Sequence, residues 1–205
     1  MRVQERTIIM GTRNLTAVYF DKDYRIAQYG QWDGYPKGQG MTALIFARKI
    51  VSDKEAMERF KANLKKSEFV DETYMRDLEE KWSKNPDTPL ESKHAAFSRS
   101  VCADVLEMVL EAPRMLNNQI VFAADSLFCE YAYVIDLDKN TFEAYIGFNT
   151  TMPLTSADRF YPYSEYERDS YDGTHYYGIK LVKEWSLEDL PTDEEFYAAF
   201  RRDES

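Results

Sequence analysis

The residue pattern of this 205-residue chain predicts an α+β fold. It combines a mainly antiparallel sheet, built from two hairpins plus a further strand, with a helical middle section. Three observations lead there. Leu15–Trp32 alternates apolar and polar residues on both sides of Asp21-Lys22-Asp23, the pattern of a hairpin with a short polar turn. Cys129–Asp136 and Thr141–Gly147 repeat that arrangement around Leu137-Asp138-Lys139-Asn140. Between these segments the apolar period lengthens to that of helices. Grouped helices and strands, rather than strict alternation, are the mark of α+β.

Taken in order, Gln28–Gly40 follows the first hairpin and holds four of the eight glycines, so it reads as a loop. Met41–Val51 has helical spacing, with Thr42 as its cap. Ser52-Asp53-Lys54-Glu55 has the form of a capping box and starts a second helix to about Lys66. Asp71 caps a third helix through about Ser83, and Asn85-Pro86-Asp87-Thr88-Pro89 breaks the chain. A long helix is predicted from about Glu91 to Ala112, stopped by Pro113. Gln119–Ala123 reads as a strand, as does Tyr177–Trp185. Thr192 or Asp193 caps a last helix to about Arg202. Residues 1–9 are expected to be an extension, and 10–205 one domain in which 41–112 is the helical section.

Composition narrows the partners. With 26 Lys+Arg against 36 Asp+Glu the net charge is −10, which argues against a nucleic-acid polymer or an anionic membrane. No apolar run approaches the length of a membrane span. At 44% hydrophobic and 15% aromatic, the chain is too apolar to be disordered. Cys102 and Cys129 form no disulfide framework or metal motif and read as small buried hydrophobes. The N-terminus has no long apolar stretch of a secretory signal, so a cytoplasmic location is expected.

The chemistry concentrates in the loop Gln28-Tyr29-Gly30-Gln31-Trp32-Asp33-Gly34-Tyr35-Pro36-Lys37-Gly38-Gln39-Gly40. Tyr29, Trp32 and Tyr35 offer flat faces for stacking. Gln28, Gln31 and Asp33 offer directional hydrogen bonds. Lys37 and Arg13 supply local positive charge, and the amides opening the next helix would meet an anion. The competing reading is a tight turn with Trp32 as a core plug. The loop matches neither a P-loop nor a dinucleotide fingerprint.

Thr12-Arg13-Asn14-Leu15-Thr16, the segment Gln28–Pro36 with Gly38-Gln39-Gly40, and Glu130–Asp138 with Phe142-Glu143 together resemble a family of uncharacterised proteins found in phage genomes and in fungi. The phage connection implies an accessory or counter-defence role, including capture or cleavage of a nucleotide signal. A looser resemblance links the first hairpin and Gly30-Gln31-Trp32-Asp33 to N-terminal-nucleophile amide hydrolases. Thr12 would be the nucleophile, and removal of residues 1–11 would be required to free its amine.

The two histidines divide. His94 suits a surface or capping role. His175, within Tyr171–Tyr177, suits a turn or a ligand-facing acid or base. Asp125-Ser126, after an apolar run, would cap a turn or line a pocket, while Asp136 and Asp138 would serve the second hairpin's turn. The tyrosines of 158–177 suit a lid, an interface or packing. The functional expectation is therefore a binding protein for a small polar, nucleotide-like ligand. Its binding residues would be Arg13, Gln28, Tyr29, Gln31, Trp32, Asp33, Tyr35, Lys37 and His175. No catalytic residue, metal or cofactor is assigned. The alternatives are the processed amide hydrolase and a protein-interaction module, with a homo-oligomer among the partners.

Overall fold

A computed structural model describes residues 11–84 and 97–201. The expected extension at 1–9, the breaker at 85–89, His94, the beginning of the long helix and the expected end of the last helix lie outside the described residues. The fold is α+β around a mostly antiparallel five-stranded sheet. The order is β2 (Asp23–Gly30), β1 (Asn14–Phe20), β5 (Tyr131–Asp136), β6 (Thr141–Ile146) and β9 (Lys180–Ser186). β1/β2, β5/β6 and β6/β9 are antiparallel. The sheet is nevertheless mixed, because β1 and β5 pair in parallel in the register Asn14↔Tyr131 through Tyr19↔Asp136. The long chain between them makes the crossover that parallel pairing requires.

Alternate residues of the central strands serve two different layers. Val18, Ile26, Tyr133, Ile135, Phe142, Ala144 and Trp185 pack against the helices. These are α1 (Met41–Ser52), α2 (Lys54–Lys66), α4 (Val105–Glu111) and α5 (Asp193–Ala199). Phe46 and Phe60 meet edge to face at 4.9 Å where α1 crosses α2. Phe196 of α5 contacts the rings of Tyr133, Phe142 and Trp185. The opposite face, with Leu15, Ala17, Ala27, Ala132, Val134 and Tyr145, is covered by Ile120, Ala123, Phe160 and Ile179 from largely irregular chain. The remaining elements are the short pair β3 (Glu68–Phe69) and β4 (Met115–Leu116), the helix α3 (Glu72–Lys84), and a separate pair, β7 (Arg168–Asp169) with β8 (His175–Tyr176).

Capping chemistry explains three helix starts. Asp53, rather than Ser52, caps α2 by accepting from the amides of Glu55 and Ala56. Asp71 accepts from Tyr74 N at the start of α3. Thr192 and Glu195 form a reciprocal capping box on α5. Four expectations are corrected. Thr42 does not cap α1; Gly40 holds that position without a side-chain bond. Among the described residues, the helix expected to Ala112 is regular only over Val105–Glu111, because Cys102 takes φ +49° and allows just a 3₁₀ turn at Cys102–Asp104. Gln119–Ala123 is not a strand: Ile120–Ala124 winds as a 3₁₀ turn, and Gln119 covers the edge of β2 instead, its N–H donating to Ala27 O at 3.0 Å. The last strand begins at Lys180 rather than Tyr177. Both cysteines are free and buried. Among the described residues no helix is long and apolar enough to cross a membrane.

A buried ionic cluster lies on the face away from the helices. Asp136 is fully buried and Glu143 is 2% exposed, and the Arg159 guanidinium donates to both. Asp136 Oδ1 also accepts from the turn amides of Asp138 (3.0 Å) and Lys139 (2.8 Å), so its expected turn duty is half of its role. Glu143 takes further bonds from Tyr145 OH (2.5 Å) and Thr141 Oγ1 (3.1 Å). Burial opposes the charge on Arg159, but hydrogen bonding and attraction from Glu143, with Asp136 adding to them, outweigh it and raise its pKa. Burial also pushes the Tyr24 and Tyr145 hydroxyls upward, so both remain neutral.

Removing the cation would strand two buried carboxylates. Arg159→Met is expected to cost about 3–5 kcal/mol, read as a lower urea midpoint at unchanged slope. Adding Asp136→Asn and Glu143→Gln should recover much of that loss.

Candidate functional site

The glycine-rich loop is built by its own hydrogen bonds. Gly38 N donates to Tyr35 O (2.9 Å), Gln39 N to Asp33 O (2.8 Å) and Gly34 N to Thr12 O (2.9 Å). Met41 N donates to Gly38 O. The first amide of α1, expected to meet an anion, is therefore already engaged within the loop. Gly38 is required by this closure, since a Cβ there would lie 2.2 Å from the Asp33 carbonyl oxygen. The buried Tyr133 hydroxyl donates to Gly34 O at 2.8 Å, and Gln39 Oε1 accepts from Ala103 N at 3.0 Å. The loop thus seals one end of the sheet.

This closure scatters the predicted binding residues. Gln28 is buried on the helical side, its amide donating to Tyr29 O and Ser98 O. Trp32 is partly exposed, with its ring lying where a side chain on Gly11 would otherwise be. Asp33, at φ +53°, accepts from the exposed Tyr35 hydroxyl. Lys37 Nζ stands 5.5 Å over the ring of Tyr197. Tyr29 is on the other face of β2, with its hydroxyl donating to Gln31 Oε1 at 2.5 Å and its ring edge against Phe122 at 4.9 Å. Arg13 spans from Glu130, which accepts its N–H, to the Phe128 ring, 4.4 Å from its guanidinium.

Tyr29 leads to the cleft with the richest chemistry. It has a volume of about 500 Å³ and runs between the 3₁₀ turn Ile120–Ala124 and the segment carrying β7. Tyr29, Phe122 and Tyr166 supply aromatic walls, and Asn117, Asn118 and Gln119 supply amides. Asp125 and Arg168 form an ion pair, Oδ2 to Nε, at 3.1 Å. The Arg168 guanidinium also lies 5.2 Å from the Phe128 ring, so that ring touches both Arg13 and Arg168. Burial raises the Asp125 carboxyl above the usual range against the pull of Arg168, and its Oδ1 is buried without a hydrogen-bond partner. Burial also raises the Tyr29 hydroxyl, against Arg13 and Arg99.

A second groove, about 540 Å³, runs along Phe148, Met152, Leu181 and Phe200. Its lining is as polar as it is apolar, with Asn149, Lys180 and Arg201 among it, and among the described residues it holds no comparable ion pair. Among the described residues no group of three or more His, Cys, Asp or Glu side chains could hold a metal ion.

His175 is removed from the cleft lining. Its Nδ1 faces Asp169 Oδ1 at 2.7 Å and its Nε2 faces Glu167 Oε2 at 3.2 Å. Of the nine predicted binding residues only Tyr29 lines the cleft; Gln31 stands one contact behind it, and Arg13 reaches Arg168 through the Phe128 ring. Arg168, Phe122 and the amides of 117–119 were missed by sequence reasoning, and Tyr166 was flagged only among the tyrosines expected to form a lid, an interface or packing. Asp125 was flagged only as a strand-end polar residue. Reading Gln119–Ala123 as a strand put the Gln119 amide in a ladder and hid its use at the sheet edge. Comparison of the chain with protein-family models, curated proteins and solved structures finds no match.

Because burial raises Asp125, its charged form costs the fold stability. That contribution is fully favourable below the ordinary carboxyl value of 3.8 and is lost as pH climbs through the raised value. Asp125→Asn should therefore abolish this loss on the alkaline side, leaving stability at neutral pH within about 1 kcal/mol of the parent. Thermal denaturation of both proteins from pH 3 to 8 checks this.

Proposed function

We propose that this chain is a non-catalytic binding protein for a small polar ligand of nucleotide type, with the Tyr29–Arg168 cleft as its site. The observation that carries the reading is the convergence, in one cleft, of aromatic faces, side-chain amides and a partly exposed guanidinium. Aromatic faces stack on a base whatever its identity, as they do on unpaired nucleic-acid bases. Amides at Asn117, Asn118 and Gln119 match the donor and acceptor edges of a base. Arg168 suits a phosphate because its planar fork pairs with phosphate oxygens, and Asp125 suits an amino or hydroxyl donor. Such capture would fit the accessory or counter-defence role that the phage resemblance implies.

A panel of mono- and dinucleotides, including cyclic ones, tests the reading by thermal shift and calorimetry. At a hundred times its dissociation constant a true ligand stabilises by about 2.7 kcal/mol, which is roughly 5–10 °C in a chain of this size. Arg168→Ala and Tyr29→Ala should each weaken binding about tenfold or more. No shift with any member of the panel would remove the reading.

A second reading, recognition of a protein or of another copy, is favoured by the exposure of Tyr161, Tyr166 and Tyr171 in one segment. Light scattering separates the two: a dimer that Tyr171→Ser dissolves would support it.

A further inference from the structure

The nucleotide reading leaves unexplained why His175 sits between two carboxylates beside the cleft. We propose that His175 is a proton-operated latch that holds the β7–β8 arm, and with it Arg168, at the rim of the cleft. Its consequence for ligand capture rests on the reading above; the latch itself does not.

The geometry of three consecutive residues carries the inference. Glu167 and Asp169 both turn toward His175, while Arg168 between them turns the other way, to Asp125. Fixing the outer two residues therefore aims the middle one. Beyond these contacts the arm has its own short ladder and two turn bonds, Ser170 N to Thr174 O and Gly173 N to Ser170 O. β7 and β8 contribute two residues each, and Arg168, Asp169 and His175 are exposed. A two-stranded ribbon of that size does not stand alone in water. Its base is firm: Tyr177 N donates to Asn149 O, Gly178 N to Glu167 Oε1 and Ile179 N to Ala123 O, all at 2.9 Å. The tip turns through Gly173 at φ +84°, with Asp172 occupied by Ser170 and Thr174.

Both ring nitrogens of His175 face carboxylate oxygens. A neutral imidazole has one N–H and cannot donate to both; only the imidazolium satisfies the pair. Among the described residues the groups facing the ring are Asp169, Glu167 and the edge-on Tyr177 ring at 4.6 Å. None of these carries a positive charge. Hydrogen bonding from Asp169 first, then from Glu167, raises the imidazole above its ordinary 6.5. The latch is thus fully closed below 6.5 and opens as pH rises through the raised value. Once the proton leaves, one nitrogen lone pair confronts a carboxylate oxygen, and His175 loses one of the two bonds by which it holds the arm.

The test needs no ligand. In the full chain carrying His94→Asn, so that one histidine remains, the ring shifts of His175 and the amide protection factors of Ser170 and Gly173 are followed by NMR from pH 5 to 9. The expected result is a ring midpoint above 6.5, with protection falling roughly 1.5- to 5-fold at that same midpoint. His175→Lys should keep protection high throughout, and His175→Asn should keep it low. A midpoint at or below 6.5, or protection indifferent to the ring's titration, would overturn the latch. If a nucleotide binds, its affinity should fall several-fold above the midpoint. A pH-flat affinity alongside a titrating arm would sever the latch from the cleft, whereas absence of any ligand would count against the binding reading alone.

Discussion

Arg159 brings one positive charge to two buried carboxylates, and the sheet face away from the helices is arranged around that imbalance. Each buried ion costs several kcal/mol of lost hydration, so such a cluster persists only with full hydrogen bonding. Here the supply is complete: turn amides serve Asp136, hydroxyls serve Glu143, and the guanidinium joins them. The requirement reaches outward. Asp136 must end β5 and Glu143 must face the same side of β6, and the chain bearing Arg159 must cross over both. That crossing brings Phe160 against Tyr145 and carries the chain onward to the turn Tyr161–Tyr166 and then to β7.

The two faces of the sheet therefore differ in kind. The helical face is sealed by apolar side chains and aromatic rings. The other face is roofed by irregular chain, whose backbone groups need partners and whose turns leave a cleft where the roof meets β2. Polar side chains gather at that seam for the same reason: Gln119 closes the strand edge with both its backbone and its side chain. A seam between a rigid sheet and a looped cover is where binding groups can be held precisely and still reach solvent.

Much of the fold was legible because its signals are local. Alternation around Asp21-Lys22 and around Asp138-Lys139 is visible in a dozen residues, and Asp53 and Thr192 announce the helices they cap. The misreadings were not local. Residues 119–123 are as apolar as a strand, and only the covered edge of β2 makes them a turn. Cys102 interrupts a good helical pattern through a backbone angle that its side chain does not advertise. The site was less legible still. Tyr29 drew attention through its glycine-rich setting, but Asp125 and Arg168 lie far apart in the sequence, and their meeting depends on the path of the roof. The loop that drew attention for its glycines and amides uses them mostly to close itself.

The carboxylate of Asp138 adds a last connection. It accepts from the amides of Asp21 (2.9 Å) and Lys22 (2.8 Å), both left-handed residues, and so ties the tip of one strand pair to the tip of the other. A slip of one residue between β1 and β5 would turn every side chain to the wrong face. It would also pull Asp138 off those amides and swing Asp136 away from Arg159. Mispairing is thus punished at two separated points, by a capped turn left bare and by an ion left alone. The turn carboxylate acts as a proofreader of alignment for a parallel pair that no hairpin could keep in register.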